Sequence, residues 1–504
     1  LEVPLSPLLP IIARASTHAG RTAVSCAAQN TTYQQLLDQS EGLALRLLDG
    51  RDDLGEARVA FLVPPGAGYV ASLWAIWRAG GVAAPLSLSA TKHELEYTLT
   101  DAGVEAVVVA DDLAERVAPL CERLGLRRLS PAAAESAIVG PAATLPTVAT
   151  DRRAMILYTS GTTSRPKGVI TTHACIQAQV ESLIQAWRWS ADDRIPLFLP
   201  LHHIHGIINI LSCALWAGAQ VEAFAWFIRE AVLQRVAGGA YTLFMAVPTI
   251  YVKLIDWLEN APADQRDAVL GGFAGMRLMV SGSAALPSSV HAQWAELTGQ
   301  PLLERYGMTE IGMALSNPYD GERRPGAVGR PLPGVEVRLQ DESNVVVAQE
   351  GSPGEIHVRG PNVFREYWNR PEATAAAFVD GWFRTGDIAV VEDGYYRIMG
   401  RSSVDIIKSG GYKLSALEIE ACLLNHPAIA ECAVVGVPDD KWGERVAAAV
   451  VLVDGAELSL DSLREWSEQR ISSYKVPRLL RGVDSLPRNA MGKVKKPAVV
   501  KLFG

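Results

Sequence analysis

Between Arg58 and Val109 two sequence patterns alternate, and that alternation restricts the fold more than any other stretch. Arg58 to Val63 is an apolar run, and Gly68 to Ala79 reads as a helix stopped by Gly80-Gly81. Val82 to Leu86 is a second strand, Thr91 to Ala102 a second helix, and Val104 to Val109 a β-branched run of the fully buried kind. Thr91 and Glu94 stand at capping-box spacing, each side chain within reach of the other's backbone N–H. Strands joined through helices pair in parallel, and a parallel sheet needs cover on both faces. The expected class is α/β, a large N-terminal domain of layered, mostly parallel sheets with helices. A chain of 504 residues is too long for one core. From Leu417 onward, helix, two strands (Ile429 to Val437, Ala447 to Val453) and helix suggest a smaller α+β domain. We therefore expect domains at 1–400 and 401–504.

The segments that carry chemistry lie after these units. Tyr158 to Val169 reads Tyr-Thr-Ser-Gly-Thr-Thr-Ser-Arg-Pro-Lys-Gly-Val and follows an apolar strand, Ala154 to Leu157. Small residues, hydroxyls and one lysine make a loop whose N–H groups can converge on phosphate. It is not a Walker A loop, because Lys167 precedes a glycine instead of standing between Gly and Ser/Thr. A plain surface linker is the alternative, and the strand directly before it counts against that. His202, His203 and His205 end a second apolar strand; His-x-His suits a metal, yet no cysteine or carboxylate is near to complete a site. Ser281-Gly282-Ser283-Ala284-Ala285-Leu286-Pro287 is a turn of small residues against which a flat purine can lie.

Four strings turn these fragments into a pattern: the 158–169 loop, Tyr306-Gly307-Met308-Thr309-Glu310, Thr385-Gly386-Asp387, and Gly492-Lys493 close to the end. In that order the chain resembles the adenylate-forming superfamily of acyl-CoA synthetases, peptide-synthetase adenylation domains and luciferases. The resemblance implies ATP, Mg²⁺ and coenzyme A as ligands of an acid–thiol ligase with a mobile small domain. It implies phosphate and adenine contacts from Thr159, Ser160, Gly161, Thr162, Thr163, Lys167, Ser283, Ala284, Tyr306, Gly307, Met308 and Thr309. Asp387 and Arg401 would hold the ribose, Thr163 and Glu310 the Mg²⁺, and Gly410 and Gly411 would border the thiol path. Lys493 would be the catalytic lysine, acting with Lys167, Glu310 and His203. Three positions depart from the family pattern: Ser164 replaces a glycine, Ser403 stands at the domain pivot, and Lys253 stands where bacterial relatives have an arginine.

Within the superfamily, Glu304-Arg305-Tyr306-Gly307-Met308-Thr309-Glu310 and Asp405-Ile406-Ile407-Lys408-Ser409-Gly410-Gly411 resemble malonyl-CoA synthetases, which also take methylmalonate. An arginine suits bidentate binding of a second carboxylate. Arg305 is thus the expected acid-recognising residue, with His203, His205, Lys253, Ser283 and Met308 around the substrate. The plain alternative for Arg305 is a salt bridge to a neighbour such as Glu304. The alternative function is the same ligation of a short fatty or aryl monocarboxylate. A carrier-loading adenylation domain and a non-catalytic nucleotide-binding protein are further rivals, against which intact Lys167, Glu310, Asp387 and Lys493 argue. Lys495 and Lys496 extend the basic run after Lys493, and a solvated tail is the plain reading of all three.

A net charge of −8 argues against a nucleic-acid surface, and no apolar run is long enough for a membrane span. Six scattered cysteines without a C-x-x-C pair suggest reduced thiols in an intracellular protein, and a monomer or homodimer is the expected assembly. The sequence begins at Leu1, from which a trimmed start is expected. The expected location is cytoplasmic, with the mitochondrial matrix after loss of a targeting peptide as alternative.

Overall fold

A computed structural model describes residues 8–27, 29–131, 144–159, 166–410, 412–488 and 494–504. The chain divides into two compact units. The first runs to Arg324 and adds Arg330–Glu336 and Val358–Phe383; the second holds Pro325–Gly329, Val337–His357 and the chain from Arg384 on.

In the first unit the alternating segment forms a parallel sheet, as its pattern requires. Arg58–Leu62 pairs in parallel with Val82–Pro85 and with Ala106–Val109, and the latter with Arg127–Leu129. Thr91 caps the helix Lys92–Asp101 with the full capping box, Glu94 reaching back to the Thr91 N–H. The helix Ala67–Arg78 is buried from Tyr69 through Arg78, so its sequence is apolar nearly all round instead of striped. Leu95, Leu99, Val117 and Leu120 of flanking helices close over Ala60, Leu62, Val107 and Val109.

The other edge of this sheet departs from expectation. Arg153–Thr159 joins Val82–Pro85 in parallel, but its next neighbour, Lys167–Thr172, runs antiparallel and pairs Thr159 with Lys167. The two strands that flank the 160–165 segment are therefore antiparallel partners of a β-hairpin. The helix His173–Trp187 begins only after this added strand, capped by Thr172. Val169, Ile170, Thr171 and Thr172 are all buried, so both faces of the strand are covered and periodicity had nothing to mark.

Two further sheets complete the unit among the described residues. One orders Gln29–Thr32, Thr22–Cys26, Gln220–Ala223 and Arg194–Leu197. The other orders Leu243–Ala246, Leu278–Ser281, Leu303–Met308, Gly312–Ser316 and Arg330–Pro331, parallel through its first three strands.

The second unit shows the period-two logic of a sheet covered on both sides. Ile429–Asp439 and Gly443–Leu452 pair antiparallel. Val434, Val446, Ala448 and Val450 face the helices Ala416–Leu423 and Leu460–Glu468, packing on Ile419, Leu423 and Leu463. Ala433, Val435, Ala447 and Ala449 face the other way, onto Leu486 and Val499. Strand Leu479–Gly482 adds a parallel edge.

Lys495 is exposed, as a solvated tail requires, but Lys496 departs from that reading. It is buried at the start of the helix Lys496–Val500, with its ammonium on the Glu420 carboxylate, 3.3 Å from Asp405 Oδ1 and donating to the Val434 carbonyl at 2.7 Å. Burial raises the Glu420 carboxyl, opposed by Lys496 and by the Val434 N–H it accepts. Removing one partner of such a pair strands a buried charge. Lys496→Met is expected to lower stability by about 3–5 kcal/mol, with Glu420→Gln restoring much of the loss in the double variant. An unchanged urea midpoint for the single variant would refute this role.

Candidate active site

In open parallel sheets ligands collect at the carboxyl ends of the strands, and there the first unit gathers most of its candidates. Ser281 at the end of Leu278–Ser281 is in register with Glu304, which brings Gly282 beside Arg305 across the two strands. The Arg305 guanidinium lies against the Gly282 backbone so closely that a Cβ there would stand 2.5 Å from Cζ. Only glycine allows this approach. Arg305 Nη2 donates to Ser283 Oγ at 3.3 Å, and Ser283 Oγ is 3.1 Å from His205 Nδ1. Ser283 holds a left-handed backbone, φ +68°, which is strained for a non-glycine residue and turns its hydroxyl between the two bases.

Arg305 is 5% exposed and makes no salt bridge among the described residues, so the Glu304 alternative fails. Its Nε is buried without a hydrogen-bond partner, and burial pushes the guanidinium down to about 10. Burial, then the charges of Arg305 and His203, holds His205 well below its usual value, so its ring is neutral near pH 7. Burying a cation is costly unless an anion pairs with it, which makes Arg305 a candidate for binding one.

His205 opens a fully buried π-helical turn, His205–Ser212, an element frequent at functional sites. His203 is half-buried with its ring 4.1 Å from that of His202, whose imidazole burial and then His203 lower to about 3. No group of three or more His, Cys, Asp or Glu suited to a metal occurs among the described residues. Lys253 is exposed on the helix Pro248–Asn260, whose Tyr251, Leu254 and Leu258 are buried. No described contact brings it to Arg305.

The Tyr-Gly-Met-Thr-Glu string spans the strand Leu303–Met308 and the turn after it. Burial relaxes there: Tyr306, Gly307, Met308 and Thr309 are half-buried, while Glu310 is again buried. Glu310 meets the phosphate-loop hairpin through a residue that the sequence reading missed. Tyr367 donates its hydroxyl to Glu310 Oε1 at 3.0 Å, and Lys167 Nζ stands 4.9 Å from the centre of the Tyr367 ring. Tyr367 lies in the short strand Glu366–Tyr367, antiparallel to Lys167–Thr172. No motif announces it; its role exists only once the two segments meet. Ser283, Ala284 and Ala285 are exposed and leave an open strip of small residues. Thr159 sits at the end of its strand opposite Lys167. Ser160, Gly161, Thr162 and Thr163 lie outside the described residues.

In the second unit, Asp387 of Trp382–Glu392 and Arg401 of Tyr395–Arg401 are register partners, with Arg401 Nε 3.7 Å from Asp387 Oδ1. Arg401 also donates to the Thr385 carbonyl at 2.9 Å. Asp405 belongs to the local network, accepting the Arg401 N–H at 3.0 Å. Ser403 is exposed in the turn between them. Gly410 is exposed and donates its N–H to the Trp442 carbonyl at 2.9 Å. Gly411 and Lys493 lie outside the described residues. All six cysteines are free, and no helix among the described residues is long and apolar enough to cross a membrane.

Known proteins share this arrangement. The family model described as AMP-binding enzyme matches residues 12–368, and the AMP-binding enzyme C-terminal domain matches residues 418–493. The chain is 46% identical to the mouse (Mus musculus) protein "Malonate--CoA ligase ACSF3, mitochondrial", over 98% of this chain and 90% of that protein. It is similar to ATP-bound MatB from Rhodopseudomonas palustris with a TM-score of 0.87 at 34% identity, over 98% of this chain and 99% of that one. A malonyl-CoA ligase with methylmalonyl-CoA and AMP bound is 37% identical with a TM-score of 0.69, over 95% of this chain and all (100%) of that one. With both family regions in place and the expected fold around them, the chain belongs to the AMP-binding family of adenylate-forming enzymes.

Proposed function

We propose that this chain is an ATP-dependent malonate–CoA ligase that forms malonyl-CoA through a malonyl-adenylate and releases AMP and pyrophosphate. The observation that carries the substrate is Arg305, a fully buried guanidinium beside Ser283 and neutral His205 with no carboxylate paired to it among the described residues. A fatty or aryl acid would leave that charge unpaired; malonate brings a second carboxylate to it. The names of the relatives support the same acid.

The chemistry divides into two displacements. One malonate carboxylate oxygen attacks the α-phosphorus of ATP, and pyrophosphate leaves. The CoA sulfur then attacks the acyl carbon, and AMP leaves. Negative charge grows on phosphate oxygens in the first step, where preorganised cations and N–H donors act most strongly. The 159–168 loop with Lys167 and, from the second unit, Lys493 would supply them, while Asp387 and Arg401 hold the ribose. Tyr306 and the Ser283-Ala284 strip would take the adenine. The functional domains we assign are 1–400 and 401–504, with Ser403 as pivot, so that rotation withdraws Lys493 and brings Gly410 and Gly411 to the thiol path.

The family implies Mg²⁺, and Glu310 fits it. It is a buried carboxylate, no cluster of metal-type ligands surrounds it among the described residues, and magnesium takes one or two carboxylates with phosphate oxygens and water. Bound there with Thr163, Mg²⁺ would neutralise phosphate charge; Tyr367 would orient the carboxylate. Tyr367→Phe is expected to lower pyrophosphate release about tenfold at unchanged melting temperature, as befits a lost hydrogen bond to a charged group. Full retained rate at limiting Mg²⁺ would exclude the role. The mouse relative is named as mitochondrial, which supports that compartment over the cytoplasm for this chain.

The test is CoA-dependent AMP formation on malonate, methylmalonate, succinate, acetate, butyrate, octanoate and benzoate, for wild type and Arg305→Ala. We expect malonate or methylmalonate to lead and the preference to vanish in the variant. A monocarboxylate favoured by both proteins would leave the ligase standing and remove malonate as its substrate.

A further inference from the structure

We propose that Glu355, in the strand Gly354–Arg359, is a positioning residue for nucleotide recognition, holding the Thr385-Gly386-Asp387 turn in the backbone form that presents the Asp387 carboxylate to the ribose. The inference rests on the reading of Asp387 as the ribose ligand and adds a residue that none of the recognised motifs contains.

The turn is unusual in its backbone. Gly386 has φ +76°, in the left-handed region, and the strand slips register between Ile388 and Ala389 directly after Asp387. Irregularities of this kind re-aim a side chain, and they need external support to persist. Glu355 supplies it. Its Oε1 accepts the Gly386 N–H at 3.1 Å, and its Oε2 accepts Arg384 Nη2 at 2.9 Å. Next along the strand, the Ile356 carbonyl accepts the Thr385 hydroxyl at 2.8 Å, and that same Oγ1 accepts the Asp387 N–H at 3.1 Å. Each residue of the turn is thus tied, directly or through one atom, to Glu355 or Ile356.

The use of a carboxylate here points to position and not only to fold. The Glu355 side chain is 17% exposed, and the buried His357 ring has Nε2 3.9 Å from Oε2. Burial raises the carboxyl, yet His357, Arg384 and the Gly386 N–H together outweigh it and hold Glu355 at about 2. Glu355 is therefore ionised throughout the working range, and its bond to the Gly386 N–H is of the strong, charge-assisted kind. A glutamine keeps the shape and loses that strength, so the turn keeps its fold while Asp387 loses its aim.

The experiment compares ATP with 3′-deoxy-ATP as substrates of full-length wild type, Glu355→Gln, Arg384→Gln and Asp387→Ala. The ratio of the two kcat/KM values is independent of the folded fraction, so a poorly folding variant still reads out. Wild type should prefer ATP, and Asp387→Ala should lose the preference. Glu355→Gln should raise KM for ATP and shrink the preference, each about tenfold, with kcat changed far less, and Arg384→Gln should shift both in the same direction by less. A wild-type ratio in Glu355→Gln beside a collapsed ratio in Asp387→Ala overturns the role of Glu355. A preserved ratio in Asp387→Ala overturns the ribose reading itself, and this proposal with it.

Discussion

Arg305→Met is expected to make the ligand-free protein more stable and to remove nearly all of its activity on malonate. The two effects share one cause. The guanidinium is buried against Gly282, it donates to the Ser283 hydroxyl, and burial pushes it down to about 10. An unpaired buried charge opposes folding, and an apolar side chain of similar length fills the space; replacing buried charge in this way stabilises by about 1–4 kcal/mol. The sign agrees with proton linkage. The folded value lies below the ordinary arginine value, so the penalty is complete below pH 10 and is relieved only as the pH climbs beyond it. With malonate bound, the same charge meets a carboxylate in a water-poor site, and losing such a partner costs about 2–5 kcal/mol, roughly one and a half to nearly four orders of magnitude in kcat/KM. Thermal melting without ligand and malonate kinetics on the same preparation check both halves. A lower melting temperature with retained malonate turnover would show that Arg305 serves the fold and not the acid.

Lys493→Ala should separate the half-reactions. If Lys493 offsets charge on the α-phosphate, adenylate formation falls by about 2.7–4 kcal/mol, or 10²- to 10³-fold. Thioester formation from supplied malonyl-adenylate and CoA should stay near wild type. Melting should also be unchanged, in contrast with Lys496→Met three residues later, whose side chain is built into the ion pair with Glu420 and Asp405. Equal loss in both half-reactions would assign Lys493 to CoA binding or to structure instead.

The two lysines show where reading a sequence stops. Lys493 and Lys496 stand in one basic run, and only a motif distinguishes the first. Burial of the second depends on which carboxylates the small unit brings beneath it, and those come from Asp405 and Glu420, about eighty to ninety residues upstream. Tyr367 and Glu355 escaped for the same reason: their partners, Glu310 and Gly386, are distant in the chain, and neither residue repeats a spacing. The hairpin of the phosphate loop escaped differently. Lys167–Thr172 is buried on both faces and lacks the alternation that marks a half-exposed strand.

What was legible was local. The parallel sheet followed from strands separated by helices, the start of Lys92–Asp101 from Thr91 and Glu94, and the two faces of the small unit's sheet from period-two alternation. The chemistry of the family followed from short strings whose backbone and side-chain groups suit phosphate, ribose and a hard cation wherever they are placed. The choice of acid was not local. Arginine at position 305 fits a salt bridge as well as a substrate, and the difference is the absence of a counter-ion together with Ser283 and His205 at its side. Burial and pairing are properties of three-dimensional neighbours. The residue type set what Arg305 is able to bind, and the tertiary structure decided that it is buried beside Ser283 and His205 with no ion pair among the described residues.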